Sequence, residues 1–193
     1  MKTQQAAMFA VVAVAAAVGG IFSAYPTTEN SEMYSESSNI MGHITLTVAD
    51  VDGNIVDYVQ TDNLVVDVGI DTMGDLIFPN INLNGNATDS QFSWIGIGTN
   101  NTAANASDVG IGTAISGCAR VQDGTVTGDS SVSGEITVTV DASFSGANCA
   151  GAVVEAVLMN DGSSGELLAR QVFSAVNVGA SDTLTVSWDI TLT

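Results

Sequence analysis

The chain has one histidine, His43, set between Gly42 and Ile44 in an alternating segment. One imidazole cannot assemble a Ser-His-Asp relay or a histidine metal cluster, and the position reads as a surface or edge histidine. Asp50, Asp52, Asn54 and Asp57 surround Gly53. Hard oxygen ligands at alternate positions are what a calcium loop requires, yet the glutamate that closes an EF-hand is missing, and an Asp-rich hairpin turn accounts for the same letters. The four stand as a calcium candidate, and no metal is assigned. A retaining glycosidase needs two carboxylates about 5 Å apart in a cleft. Here the acids interrupt apolar stripes and are expected to face water. No catalytic residue, no cofactor and no enzymatic activity are therefore expected; a carboxylate hydrolase is the one enzyme class left to test.

Cys118 and Cys149 are the two cysteines. In an oxidising compartment a lone pair reads as one intrachain disulfide, closing a loop of about 30 residues and contributing about 3 kcal/mol. Asn86, Asn100 and Asn105 head the triplets NAT, NNT and NAS, acceptor patterns for N-glycosylation, and all three fall in segments read as loops. Arg120 and Arg170 lie in segments read as strands and are expected to pair with carboxylates. Trp94 and Trp188 sit in alternating segments and are expected in the core; as sugar platforms they would have to be exposed.

Charged residues make up 12% of the 193-residue chain, and 21 Asp and Glu face only Lys2, Arg120 and Arg170. Such a surface repels phosphate backbones and anionic lipid, which excludes nucleic acid as a partner. It suits solubility outside the cell. An apolar fraction of 46% is enough for one ordinary core. Lys2 precedes an apolar run, residues 6–17, followed by Gly19, Gly20, Ile21, Phe22, Ser23 and Ala24, the layout of an export signal. Residues 1–24 are thus a signal peptide or a retained amino-terminal anchor, long enough to span a bilayer, and the only expected contact with a membrane. A pilin-type leader is a third option, although its charged cut site is not visible. Residues 25–39 are polar and without apolar period, a flexible tether, and residues 40–193 form the folded domain.

Period-two alternation dominates that domain. Ile44, Leu46 and Val48 alternate with threonines, Asp52-Gly53 turns the chain, and residues 55–60 return as a hairpin partner. Residues 64–68 read as a separate short strand and 69–78 as a short helix. Residues 80–90 and 99–108 are loops flanking FSWIGIG (92–98), whose glycines allow close approach of another backbone. Residues 111–121 read as a strand, 132–144 as a long alternating stripe, then 152–159 and 167–176 as strands. Last comes DTLTVSWDITLT, with Leu184, Val186, Trp188, Ile190 and Leu192 on one face. The short turn at 179–182 predicts that this strand forms a hairpin with 167–176. Seven to nine strands with almost no helical period predict an all-β, antiparallel β-sandwich of jelly-roll or immunoglobulin-like type with one short helix.

The order NLVVDVGIDTMGDLIF (63–78), FSWIGIGTNNTAANASD (92–108), VEAVLMNDGSSGELLARQVF (154–173) and LTVSWDITL (184–192) resembles small β-sandwich proteins of phage tail-fibre type. With an export signal and polar tether, the chain also resembles subunits of archaeal extracellular threads and pili that are built by donor-strand exchange. That resemblance implies a structural subunit whose partners are copies of itself in a homopolymer, and it supplies no active-site residues. Residues 25–39 lack the apolar alternation of a donor strand, so Ile40, Ile44, Leu46 and Val48 are the inter-subunit strand candidates. The expectation is a non-catalytic subunit of an extracellular, cell-surface filament. The alternatives are a membrane-tethered adhesin or carbohydrate-binding module, with glycans as partners, and a virion fibre protein.

Overall fold

The computed structural model describes residues 39–77 and 91–193. The leader or anchor, nearly all of the tether and Asn86 lie outside the described residues. In chain order the elements are β1 (Ile40–Ala49), β2 (Ile55–Val65), the helix α1 (Asp67–Ile77), β3 (Trp94–Gly98), β4 (Val121–Gln122), β5 (Thr127–Asp129), β6 (Ile136–Ser145), the single turn α2 (Gly146–Cys149), β7 (Gly151–Met159), β8 (Leu167–Val178) and β9 (Thr183–Leu192). All pairings are antiparallel, and the strands form one nine-stranded sheet in the order β4-β3-β7-β8-β2-β1-β9-β6-β5, curled as a half-barrel. The all-β antiparallel expectation holds, and the two apolar layers are halves of this single sheet.

One half presents Ile44, Leu46 and Val48 from β1, Val140, Ala142 and Phe144 from β6, and Leu184, Val186, Trp188 and Ile190 from β9. The other presents Ile95 and Ile97 from β3, Val153, Ala156 and Leu158 from β7, and Leu168, Ala169, Val176 and Val178 from β8. On β1, β3, β6 and β9 these side chains fall on every second residue and share a face, whereas on β7 and β8 register shifts between Val153 and Glu155 and between Leu158 and Met159 interrupt the alternation. The residues between them, Thr, Ser and Asp on β1, β6 and β9, form the solvent face and bond across strands: Thr139 Oγ1 donates to Asp189 Oδ1 at 2.6 Å, and the Thr137 and Thr191 hydroxyls meet at 3.0 Å.

The final strand is the middle of its half, laddered along its full length to β1 on one side and β6 on the other. It does not pair with β8, contrary to the hairpin expected from the short connection. That turn instead carries the chain from one half of the sheet to the other. Asp182 N–H donates to Gly179 O at 3.1 Å, Gly179 N–H to Asp182 Oδ2 at 2.9 Å, and Gly146 N–H to Asp182 O at 2.8 Å. A Cβ at Gly146 would collide with the Gly179 carbonyl, so this crossing needs a glycine there. An alternating stripe identifies the buried face of a strand but not its neighbour.

Three further expectations are corrected. Residues 64 and 65 belong to β2, which runs unbroken from Ile55 and changes partner from β1 to β8 near its end. Residues 111–121 are mostly irregular, with one bridge from Ala114 to Gly98, and only Val121 is strand. Their glycine, serine and cysteine content supports a loop anchored by its side chains. The stripe starting at Val132 begins as strand only at Ile136, after a turn at Gly134 with φ 81°. The expected helix is present as α1.

Candidate functional site

The most enclosed polar cluster lies on β7 and β8. Glu155 and Arg170 are 0% and 3% exposed. Arg170 Nε and Nη2 both lie 3.0 Å from Glu155 Oε2, Nη1 lies 2.9 Å from Asp108 Oδ2, and Nη2 donates to Thr102 O at 3.1 Å. Glu155 Oε1 accepts from the N–H groups of Asn100 (3.1 Å) and Thr113 (2.7 Å), and Oε2 from that of Gly112 (3.1 Å). The carboxylate is thus the anchor for the segment between Asn100 and Thr113, and Arg170 neutralises it from behind. Gly98 lets this segment close in, since a Cβ there would meet Glu155 and the Thr113 carbonyl. Arg170 pairs with carboxylates as expected, whereas burial of Glu155 escapes the rule that acids point outward. Its flanking residues are apolar on both faces of β7, the one signal that the strand is covered on both sides. A fully saturated ion pair has no free lone pair for substrate, so the cluster fastens a loop.

The other residues singled out above are dispersed. Cys118 and Cys149 form the expected disulfide, tying the irregular segment before β4 to α2. Arg120 Nη1 donates to two carbonyls, Asp161 O at 3.0 Å and Ser164 O at 3.3 Å, and its partners are main chain where a carboxylate was expected. Burial pulls its pKa below the usual guanidinium value, partly offset by the charge of Asp161. Trp188 is buried and donates Nε1–H to Asn63 Oδ1 at 2.9 Å; Trp94 is half-buried over Gly162, where a Cβ would strike the ring.

Asp50 accepts at Oδ1 from the N–H groups of Asp52 and Asn54, both at 2.9 Å, and the Asn54 side chain adds bonds to both oxygens. The Asn54 side chain, then its N–H, holds the Asp50 carboxyl below the usual carboxylate range. Asp57 is committed elsewhere, accepting from the N–H groups of Tyr58 at 2.8 Å and Asn177 at 3.2 Å. These oxygens build a turn and a strap, and no group of three metal-ligating side chains occurs among the described residues. His43 Nδ1 lies 3.0 Å from Asp62 Oδ1 on the solvent side. With Asn63 it borders a hollow of about 280 Å³ that Gly42 keeps open for the Asn63 amide.

The inter-subunit candidates Ile44, Leu46 and Val48 are buried in this chain's own core, with β1 laddered on both sides by β2 and β9. Ile40 is half-buried and, with Val132, Ile136 and Leu192, lines a hollow of about 510 Å³ where β1 begins and β9 ends.

One surface has no signature in side-chain type: the edge of β2 that faces β8. Among the described residues its ladder to β8 consists of Leu64↔Arg170 and Val65↔Ala169. Beyond those pairs no main-chain ladder joins the two strands, and side chains bridge them: Asn177 N–H to Asp57 Oδ2 and Gln171 Nε2 to Thr61 Oγ1 at 3.4 Å. Val66 N–H donates to Leu168 O, so by alternation Tyr58, Gln60 and Asp62 turn their main-chain groups toward this unladdered stretch, where the Tyr58 N–H is taken by Asp57 Oδ1 at 2.8 Å. Around it Val51, Ile55, Val56 and Tyr58 are 74%, 66%, 55% and 52% exposed. The ends of the sheet, by contrast, are blunt: β4 has two residues and β5 three, and Asp141 N–H on β6 beyond β5 is taken by Asp123 Oδ2 at 2.9 Å.

Of the glycosylation triplets, Asn100 and Asn105 lie on the loop held by Glu155, Asn100 half-buried and Asn105 exposed. No known protein-family model, no curated protein and no solved structure matches this chain.

Two outcomes follow for the anchored loops. Replacing Arg170 by Met leaves Glu155 buried without its cation; unfolding in urea is expected to lose about 3–5 kcal/mol, with new proteolytic cuts between residues 99 and 113. An unchanged midpoint and cleavage pattern would contradict the anchoring role. Asp161 is held below the usual carboxylate range by the N–H of Ser163, then that of Ser164, then the Ser163 hydroxyl. A depressed folded pKa stabilises the native chain above the unfolded value and loses that contribution as pH falls through the folded one. Melting of Asp161→Asn is therefore expected to fall below the parent at pH 6 and to converge on it near pH 2.

Proposed function

We propose that this chain is a non-catalytic structural subunit of an extracellular surface filament, assembling with copies of itself by β-strand addition. The observation that carries the reading is the outer edge of β2. It has main-chain groups without a ladder partner, exposed apolar side chains beside them, and a neighbouring β8 that is joined to it there by side chains and not by a ladder. Strand addition draws affinity from such main-chain hydrogen bonds and specificity from alternate side chains. The short, capped ends of the sheet direct addition to this edge. β1, locked between two full-length ladders, stays at home, and augmentation of β2 by a second copy is favoured over donation of β1. The export-signal layout, the acidic surface and the disulfide support assembly outside the cell.

Tyr58→Lys places a charge on the edge while leaving the core untouched. The variant is expected to melt with the parent protein and to lose filaments in negative-stain micrographs and the heavy species in sedimentation. A parent protein that stays monomeric at high concentration, or a variant that assembles normally, would sink the proposal.

A further inference from the structure

We infer that Asn105 is an N-glycosylation acceptor of the folded domain and that Asn100, five residues earlier on the same loop, is not. Both head acceptor triplets, so sequence alone ranks them equally. Asn105 is exposed, and its Oδ1 accepts both the N–H of Ser107 at 3.0 Å and the Ser107 hydroxyl at 2.8 Å. Its Nδ2 donates to no group of the described residues and is open to solvent. The hydroxyl of the third triplet residue therefore polarises the amide carbonyl while the nitrogen remains free to react.

The surrounding backbone fixes this arrangement. Asn105 N–H donates to Asp108 Oδ2 at 2.9 Å, Asp108 N–H returns to Asn105 O at 2.9 Å, and Asp67 N–H at the start of α1 donates to Ala106 O at 2.9 Å. Asp108 is in turn clamped by Arg170. The acceptor amide is presented on a rigid platform.

Asn100 is placed differently. Its N–H is spent on Glu155, and its side-chain nitrogen rests against Gly112, where even a Cβ would collide with it. Its Oδ1 accepts the N–H of Thr102, whose carbonyl accepts from Arg170. A sugar on this nitrogen would have to displace Gly112, and with it the contacts that hold the loop to Glu155.

The donor is an oligosaccharide linked through phosphate to a lipid carrier. The Asn105 Nδ2–C1 bond forms, the C1–O bond to the lipid phosphate breaks, and the amide proton leaves to a base of the transferase. The glycan would emerge beside Val109, which is 73% exposed, and cover it. The inference rests on the exported reading of the chain.

The test is peptide mass spectrometry of the full-length protein recovered from the surface of the cells that make it, alongside Asn105→Gln, Ser107→Ala, Ser107→Thr and Asn100→Gln. The expected result is a sugar mass on the peptide carrying Asn105, lost in Asn105→Gln and Ser107→Ala, retained in Ser107→Thr, and unaffected by Asn100→Gln. Circular dichroism melts confirm that the variants fold. A surface protein bare at Asn105, or carrying sugar at Asn100 instead, overturns the inference and leaves the filament reading standing. Protein found only inside the cell overturns both.

Discussion

A single sheet encloses a core only if it turns over on itself, and in this chain the turn rests on two residue pairs, Leu64↔Arg170 and Val65↔Ala169. Everything on the β1 side of that joint forms one wall, everything on the β8 side the other. Arg170 lies at the joint itself, so the buried ion pair with Glu155 fastens the loop between Asn100 and Thr113 to the place where the sheet folds. Burying such a pair is costly, and it is sustained here by three N–H groups, a second carboxylate and a carbonyl that leave neither partner unsatisfied.

The same joint explains why β2 has an open edge. The ladder between these two strands of opposite walls stops after two pairs, and side chains take over from it. Between Val56 and Asp62 the gap is bridged by Asp57 and Thr61 side chains where a continuous sheet would have hydrogen bonds between main chains. Most folds protect such an edge with charge, proline or a bulge. Here the bulge falls at the hairpin end, and the flanking residues Val51, Ile55 and Val56 are apolar and exposed. That combination is what the proposed strand addition rests on.

Alternation made most of the fold legible. Leu184, Val186, Trp188 and Ile190, Ile44, Leu46 and Val48, and Val140, Ala142 and Phe144 are buried as their spacing demands, and Cys118 and Cys149 meet as the expected disulfide. Neighbour relations were not legible: period two reports a face, and the 179–182 turn serves a crossing between walls as well as a hairpin. Residues 111–121 were misread as strand because apolar letters there pack against the sheet from a loop. Glu155 was invisible as a buried acid because its partners, Arg170 and the N–H groups of Asn100, Gly112 and Thr113, are distant in sequence and mostly main chain. The β2 edge was hidden for a related reason, since an unpaired main chain has no signature in side-chain type.

Assembly by strand addition requires the β2 edge to be free in one subunit and paired in the filament. Amide hydrogen exchange at Gln60 and Asp62, followed from dilute to concentrated protein, tests it most directly. The prediction is rapid exchange at low concentration and strong protection on assembly, with β9 amides protected throughout. Protection of these two β2 amides already in the dilute monomer, or rapid exchange persisting in assembled protein, would contradict it.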